Sequence, residues 1–155
     1  MSLKINAQAP NFTLASTSGN AFSLDKDMAG KPCILYFYPK DFTMGCTAEA
    51  CEFRNEFEAF ENVDVPIFGI SKDDIPTHLK FKQQYKLPFE LLADTSGLVT
   101  KMYDSLIPFI GYPQRTTYLL DHAHKIIAVY DNLIYPKGHI AAMIKGIKNQ
   151  LFKEK

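Results

Sequence analysis

The chain has 155 residues, 46% of them hydrophobic, and its 17 basic residues balance 17 acidic ones. This composition predicts one globular domain over residues 1–155. It disfavours a nucleic-acid partner, because proteins that bind nucleic acids usually have more basic than acidic residues. We expect no membrane partner and a cytoplasmic location, because the chain lacks a signal-peptide core and any apolar run of about 18 residues. Its three cysteines are too few for a disulfide-stabilised secreted domain and favour a reducing compartment.

The predicted elements alternate between strands and helices through the first half of the chain. Strand-like apolar runs cover residues 33–38, 65–70, 116–120 and 126–130, and helical patterns cover about 43–60, 75–85, 97–103 and 138–152. The alternation predicts βαβ units, and the short DHAHK connection between the last two strands predicts an antiparallel hairpin. The expected fold class is therefore α/β, with a mixed central sheet flanked by helices. The last helix has an apolar stripe that we assign to the core: Ile140, Met143, Ile144, Ile147 and Leu151.

Two cysteines stand five residues apart in the segment PKDFTMGCTAEAC, which begins at Pro39. Pro39 ends the preceding strand and turns the loop back over the start of the helix. If Thr43 caps this helix with its side-chain oxygen, Cys46 lies in the first turn, where unpaired N–H groups and the helix dipole favour a thiolate. The pattern therefore makes Cys46 a candidate nucleophile.

The second cysteine of the segment points to another face of the same helix. Cys51 lies about 140° around the helix from Cys46, so it points outward. The face of Cys46 is directed into the core by three aromatic residues at matching offsets: Phe53, Phe57 and Phe60. Cys51 is thus a candidate partner thiol, although a helix that merely carries two small apolar residues remains an open alternative.

A metal site is a weaker interpretation of the same cysteines. Structural zinc sites favour cysteines two to four residues apart and four ligands, whereas this chain has one C-x4-C pair and no second pair. The histidines are scattered along the sequence, at His78, His122, His124 and His139, and two of them fall in the hairpin turn, where exposed polar residues are usual. Cys33 begins the buried strand and is expected to be an inert core thiol.

The segment YFYPKDFTMGCTAEAC resembles the active-site segment of the peroxiredoxins, and more narrowly of their bacterioferritin-comigratory or Q-type branch. The family pattern Pro-x-x-x-Thr-x-x-Cys is met by Pro39, Thr43 and Cys46, and the family's later arginine is met by Arg115 in PQRTTYLLD. The stretches APNFTL, FGISKD and LLADTSG also have family counterparts in order, so the resemblance covers nearly the whole chain. Departures from the pattern are Met44, where this branch commonly has proline, and Ala123-His124 in the last hairpin.

The resemblance implies a thioredoxin-like fold and a thiol-dependent peroxidase that uses no metal, haem or flavin. Cys46 would attack the peroxide and become a sulfenic acid, and Cys51 would close an intrachain disulfide that thioredoxin or a similar dithiol reduces. Thr43 and Arg115 would position the peroxide and stabilise charge, and Pro39 would shield the pocket from water. Without the resemblance, a surface ion pair with Glu49 is the favoured interpretation of Arg115.

Two other functions fit such a fold without a peroxidase step. A plain disulfide oxidoreductase would carry C-x-x-C after its strand, which this chain lacks, and a redox-regulated binding module would not need Thr43 and Arg115 near Cys46. The unusually apolar loop SLIPFIGYPQ, residues 105–114, either covers the Cys46 pocket, meets another protein or is buried within the domain. We expect a monomer or a weak homodimer.

The spacing of the two cysteines also predicts a conformational change. Residues five apart in an α-helix are separated by about 7.5 Å along the axis, whereas a disulfide needs Cα atoms within about 6.8 Å. A Cys46–Cys51 disulfide therefore requires the first turns of the helix to unwind. Gly45 at the start of the helix and Thr47, a weak helix former, favour that unwinding.

Overall fold

The computed structural model describes residues 2–62, 64–131, 143–147 and 149. Its strands are β1 (Thr13–Ser16), β2 (Ala21–Ser23), β3 (Cys33–Phe37), β4 (Ile67–Ser71), β5 (Glu90–Ala93), β6 (Thr116–Leu120) and β7 (Ile126–Asp131). Its helices are α1 (Leu24–Asp27), α2 (Met44–Asn55), α3 (Phe57–Asn62), α4 (Ile75–Tyr85) and α5 (Leu98–Met102), and residues 143–147 are also helical. Within the described residues, no helix combines the length and the apolar character that crossing a bilayer requires.

The seven strands form one mixed sheet in the order β2-β1-β5-β4-β3-β6-β7. Strand β4 pairs in parallel with β3 and with β5, and the other pairs are antiparallel. Every residue of β3, β4 and β6 is buried, because these central strands are covered on both faces. The expected mixed sheet flanked by helices and the hairpin of β6 and β7 are therefore confirmed.

Two apolar clusters cover the opposite faces of the sheet. Along β3, Ile34 and Tyr36 belong to the cluster that also contains Cys46 and Phe53 of α2. Cys33, Leu35 and Phe37 belong to the other cluster, together with residues of β6 and α5. This alternation follows from the two-residue period of a strand, and it places α2 and its cysteine directly against the first face.

Several predicted elements have different bounds in the structure. The helix predicted over 43–60 is two helices, α2 and α3, which are separated at Glu56. The strands β1, β2 and β5 and the helix α1 were absent from the prediction, because they are three or four residues long and too short for a clear period. The helix predicted over 138–152 lies largely outside the described residues, but Met143, Ile144 and Ile147 are buried as expected.

The sheet also determines where the loop before α2 lies. The parallel strands β3, β4 and β5 end at the same edge of the sheet, so the segments that follow them are neighbours there. Residues 38–43 follow β3 and lead into α2, and residues 72–74 follow β4 and lead into α4. Polar residues of both segments consequently meet at the carboxyl edge of the sheet, beside the first turn of α2.

Candidate active site

Cys46 lies in the first turn of α2 and contacts an arginine that precedes β6, at the sheet edge where β3 ends. It is the third residue of the helix and is 1% exposed. Arg115, which immediately precedes β6, donates from Nη2 to the Cys46 sulfur at 3.4 Å. A guanidinium and the amino end of a helix both favour negative charge on that sulfur, so the geometry supports a reactive thiolate.

The guanidinium of Arg115 also bonds a buried carboxyl group. Its Nη1 donates to Oε1 of Glu49 at 2.8 Å, and the Glu49 side chain is 1% exposed. The ion pair with Glu49, the alternative interpretation of Arg115, thus exists, but its carboxyl group is buried and its arginine only partly exposed, and the same arginine reaches Cys46 as well. Burial opposes ionisation of Arg115, yet the neighbouring Glu49 and Cys46 raise the pKa of the guanidinium above its usual value.

Glu49 is kept close to the point of protonation at neutral pH. Burial raises the pKa of its carboxyl group to about 7, although Arg115 favours the ionised form. Its second oxygen, Oε2, is buried without a hydrogen-bond partner among the described residues. One arginine therefore faces two groups that can carry negative charge, Glu49 and Cys46. When Glu49 is protonated, the positive charge of Arg115 acts mainly on the sulfur of Cys46.

Gly45 permits the close approach of Arg115 to the helix. A Cβ atom at this position would lie 2.9 Å from Nη2 of Arg115, which is shorter than ordinary van der Waals contact. A larger residue would push the guanidinium away from Cys46. The sequence alone indicates only that Gly45 favours unwinding of the helix, because the position of Arg115 is a tertiary feature with no local signal.

Thr43 is the N-cap residue of α2, as predicted, but its hydroxyl has another role from the one expected. The side chain makes no cap hydrogen bond to the helix; its Oγ1 donates to the carbonyl oxygen of Lys40 at 2.8 Å. Because the hydroxyl hydrogen is used on Lys40, the oxygen lone pairs of the exposed Thr43 can accept a hydrogen bond. The structure therefore brings Arg115 to Cys46, whereas Thr43 is tied into the preceding loop.

Pro39 lies half-buried where the chain leaves β3. It lines a cavity of about 260 Å³ beside Lys72, Asp73 and Tyr112. Tyr112 belongs to the apolar loop predicted over 105–114, so this loop comes close to the segment that precedes Cys46.

The three thiols occupy different environments. All are free cysteines; Cys51 is partly exposed on α2, and Cys33 is fully buried in β3. Burial raises the pKa of the Cys33 thiol to about 12, as expected for a core thiol without a charged partner. Cys46 and Cys51 both lie within the intact helix α2, which is the arrangement in which they cannot form a disulfide.

A buried histidine and aspartate beside the site were not predicted from the sequence. His78 of α4 is 0% exposed, and its Nδ1 lies 2.6 Å from Oδ2 of Asp41 in the loop before α2. Two atoms that ligate one zinc ion, each about 2.0 Å from it, would be roughly 3.3 Å apart. The distance between Nδ1 and Oδ2 is shorter than this and is typical of a hydrogen bond. Asp41 and His78 stand 37 residues apart, and no spacing rule connects them.

The hairpin turn also differs in one position from the expectation of exposed histidines. His122 is exposed, but His124 is 9% exposed, and its Nε2 lies 2.7 Å from the carbonyl oxygen of Met28. His124 adopts a left-handed φ of 63°, and its Nε2 also lies 3.1 Å from the carbonyl oxygen of Lys31. The turn is therefore anchored to the segment after α1.

The apolar loop exposes large side chains. Phe109 is fully exposed, and Ile110 and Tyr112 are 65% and 47% exposed. The interpretation that this loop is buried within its own domain is therefore wrong for these three residues. Phe109 adopts a left-handed φ of 68°, and Lys72 Nζ lies 5.8 Å from the ring centre of Tyr112.

Comparisons with known proteins agree on one family. Residues 5–129 match the model of the AhpC/TSA family. A Coxiella burnetii protein assigned to the bcp peroxiredoxins is 41% identical over 150 residues, which cover 93% of this chain and 98% of that protein. The chloroplastic peroxiredoxin Q of Oryza sativa subsp. japonica is 43% identical over 142 residues, 91% of this chain but 65% of the rice protein. The chain thus spans about two thirds of the length of the plant relatives that it matches.

The fold has close counterparts among solved structures. The crystal structure of the peroxidoxin BcpB from Mycobacterium tuberculosis matches with a TM-score of 0.88 at 27% identity, over 96% of this chain and 98% of that chain. Such agreement over nearly both whole chains identifies the mixed sheet and its helices as the thioredoxin-like arrangement that was expected.

Proposed function

The chain belongs to the AhpC/TSA family, within its bcp and Q-type peroxiredoxins, and we propose that it is a thiol-dependent peroxidase for hydrogen peroxide and organic hydroperoxides. The observation that carries the proposal is the 3.4 Å contact between Arg115 Nη2 and the Cys46 sulfur at the amino end of α2. This arrangement favours a thiolate, which is the form of cysteine that attacks an O–O bond.

The first step oxidises Cys46 and reduces the peroxide. The sulfur attacks the terminal peroxide oxygen, and an S–O bond forms as the O–O bond breaks. The other oxygen leaves as hydroxide or alkoxide and takes a proton from solvent to become water or alcohol. Arg115 stabilises charge on the attacking sulfur and on the leaving oxygen. Thr43 positions the substrate through its free lone pairs, which accept the peroxide O–H, and Pro39 limits access of bulk water.

The second step makes a disulfide. The Cys51 thiol attacks the sulfenic sulfur of Cys46, water leaves, and an intrachain disulfide forms. An external dithiol, thioredoxin or a similar protein, then exchanges with this disulfide and restores both thiols. Because both cysteines lie in the intact helix α2, its first turns unwind between the two steps.

We propose that the protein acts in the cytoplasm, as a monomer or weak homodimer. The plant relatives, in contrast, are named as chloroplastic proteins.

Steady-state peroxide consumption by the reduced protein, with thioredoxin and its reductase supplying electrons, tests the function. The wild-type chain should turn over hydrogen peroxide and an alkyl hydroperoxide, and Cys46→Ser should be inactive because an alcohol does not supply the thiolate. Cys33→Ser is the matched control, since it removes a buried thiol that the mechanism does not use. Thiol–disulfide exchange without peroxide consumption would instead indicate a plain oxidoreductase.

A further inference from the structure

The loop that precedes Cys46 is fixed by hydrogen bonds from three directions, and Asp41 lies at their centre. Asp41 is 3% exposed. Its Oδ1 accepts from Tyr38 Oη at 2.6 Å, and its backbone N–H donates to Asp73 Oδ2 at 2.8 Å. Its Oδ2 faces His78 at 2.6 Å. The side chain of Asp41 therefore joins the end of β3 to the buried face of α4, and its backbone N–H adds a link to the segment after β4.

The partners of His78 determine how many protons the pair holds. Its Nε2 lies 3.0 Å from the carbonyl oxygen of Leu92, which can only accept, so Nε2 carries a hydrogen. Its Nδ1 then either donates to an ionised Asp41 or accepts from a protonated one. In both forms, the pair contains one proton more than a neutral imidazole and a free carboxylate would contain together.

The turn after Asp41 shows why such an anchor is needed. Phe42 adopts a left-handed φ of 67°, which is unfavourable for a residue with a Cβ atom, and its ring packs on Phe81 of α4 with centroids 5.1 Å apart. Thr43 follows directly, and its hydroxyl is bonded to Lys40, the neighbour of Asp41 on the other side. A shift of Asp41 would move Thr43 and the first turn of α2, which holds Cys46.

We propose that Asp41 and His78 share a proton and act as positioning residues for the peroxide step, by holding residues 39–43 and with them the first turn of α2, so that Cys46 stays against Arg115. The proposal rests on the peroxidase function proposed above. In this proposal, the Asp41–His78 hydrogen bond matters only for the reaction of Cys46 with peroxide. The disulfide form has already lost the first turns of α2, so reduction of that disulfide does not depend on the Asp41–His78 bond.

Separate rate constants for the two half-reactions test the proposal. His78→Ala and Asp41→Ala should lower the second-order rate constant with hydrogen peroxide on the order of 10- to 100-fold, because small misplacements of reacting groups cost rates of this size. The rate constant for reduction of the oxidised protein by thioredoxin should stay unchanged. Equal losses in both half-reactions would indicate general destabilisation and would overturn the proposal.

Asp41→Asn is the conservative variant. Its amide can donate to Nδ1 of a neutral His78 and accept from Tyr38, so all the hydrogen bonds persist without the shared proton. It should therefore restore most of the peroxide rate lost in Asp41→Ala. An asparagine variant as slow as the alanine variant, with the same cooperative unfolding as wild type, would contradict a positioning role. His122→Ala, which removes an exposed histidine, is the matched control and should change neither rate.

Nitrogen-15 spectra of histidine ring atoms test the proton directly. Imidazolium at His78, or a neutral ring with hydrogen on Nε2 alone, agrees with a shared proton in the wild-type protein. A neutral ring with hydrogen on Nδ1 alone would refute it. Among the described residues, the titratable groups that contact the pair or act on it electrostatically are Tyr36, Tyr38, Asp73 and Asp74, and none of them needs to change charge in this assay. A wild-type protein that fails to consume peroxide would refute the proposed function, whereas an active protein unaffected by His78→Ala would refute this inference alone.

Discussion

Replacing Glu49 by glutamine tests the charge balance of the site through protein stability. The glutamine keeps the size of the side chain and an oxygen that can accept from Arg115, but it removes the ionisable group. In the folded protein, burial raises the pKa of the Glu49 carboxyl group to about 7, from an ordinary value of 4.5. The folded state therefore retains a proton on Glu49 that the unfolded chain releases at a lower pH.

The sign and size of the effect follow from proton linkage. Between pH 4.5 and 7, the folded state binds one proton more than the unfolded state, so the free energy of unfolding falls as the pH rises. The slope is about 1.4 kcal/mol per pH unit, which sums to about 3 kcal/mol over this interval. Glu49→Gln cannot lose a proton, so its stability relative to wild type should rise by about 3 kcal/mol from pH 4 to pH 8.

Urea unfolding of the reduced proteins, followed by far-ultraviolet circular dichroism at several pH values between 4 and 8, measures this difference. Contributions from the other titrating groups cancel when the variant is compared with wild type at each pH. Glu58→Gln removes an exposed carboxyl group of α3 and should differ from wild type by a constant amount. A constant difference for Glu49→Gln as well would refute the conclusion that Glu49 holds its proton in the folded state.

The other predictions concern the arginine, the helix and the apolar loop. Arg115→Ala should move the alkylation-versus-pH profile of Cys46 to higher pH and slow the peroxide step on the order of 10- to 100-fold. Arg115→Lys should restore part of the rate. An unchanged profile would exclude stabilisation of the thiolate by Arg115. Oxidised protein should show faster amide exchange across residues 43–53 than reduced protein, and identical exchange would contradict unwinding of α2. If copies associate weakly through the exposed Phe109, the sedimentation coefficient should rise with concentration and Phe109→Glu should abolish that rise; a constant wild-type coefficient would contradict it.

The long apolar segments were predictable from the sequence because their patterns are local. The runs that became β3 and β6 are apolar almost throughout, and the helical pattern over 75–85 has the same bounds as α4. The face of Cys46 was also predictable, since the helical period aligns it with Phe53 and Phe60, which are both buried in the same cluster. Short edge strands such as β2 have only three residues, and they form because β1 offers a partner.

The rest of the site depends on contacts between distant parts of the chain. The helix dipole and the cap position singled out Cys46, but Arg115 stands 69 residues away, and only the resemblance to a family connected the two. Nothing in the sequence near Asp41 indicates His78, because their meeting depends on the parallel pairing of β3 with β4. The hydroxyl of Thr43 was assigned to the helix from its N-cap preference, whereas the loop geometry gives it the carbonyl oxygen of Lys40.

The role of Cys46 as the attacking thiol is tested most directly by trapping the product of a single turnover. Reduced Cys51→Ser protein is mixed with one equivalent of hydrogen peroxide and a reagent specific for sulfenic acids, and the adduct is located by peptide mass spectrometry. We predict that about one equivalent of peroxide is consumed and that the adduct lies on Cys46, with Cys33 unmodified. An adduct on Cys33, or peroxide consumption no faster than that of a free thiol, would contradict the assignment.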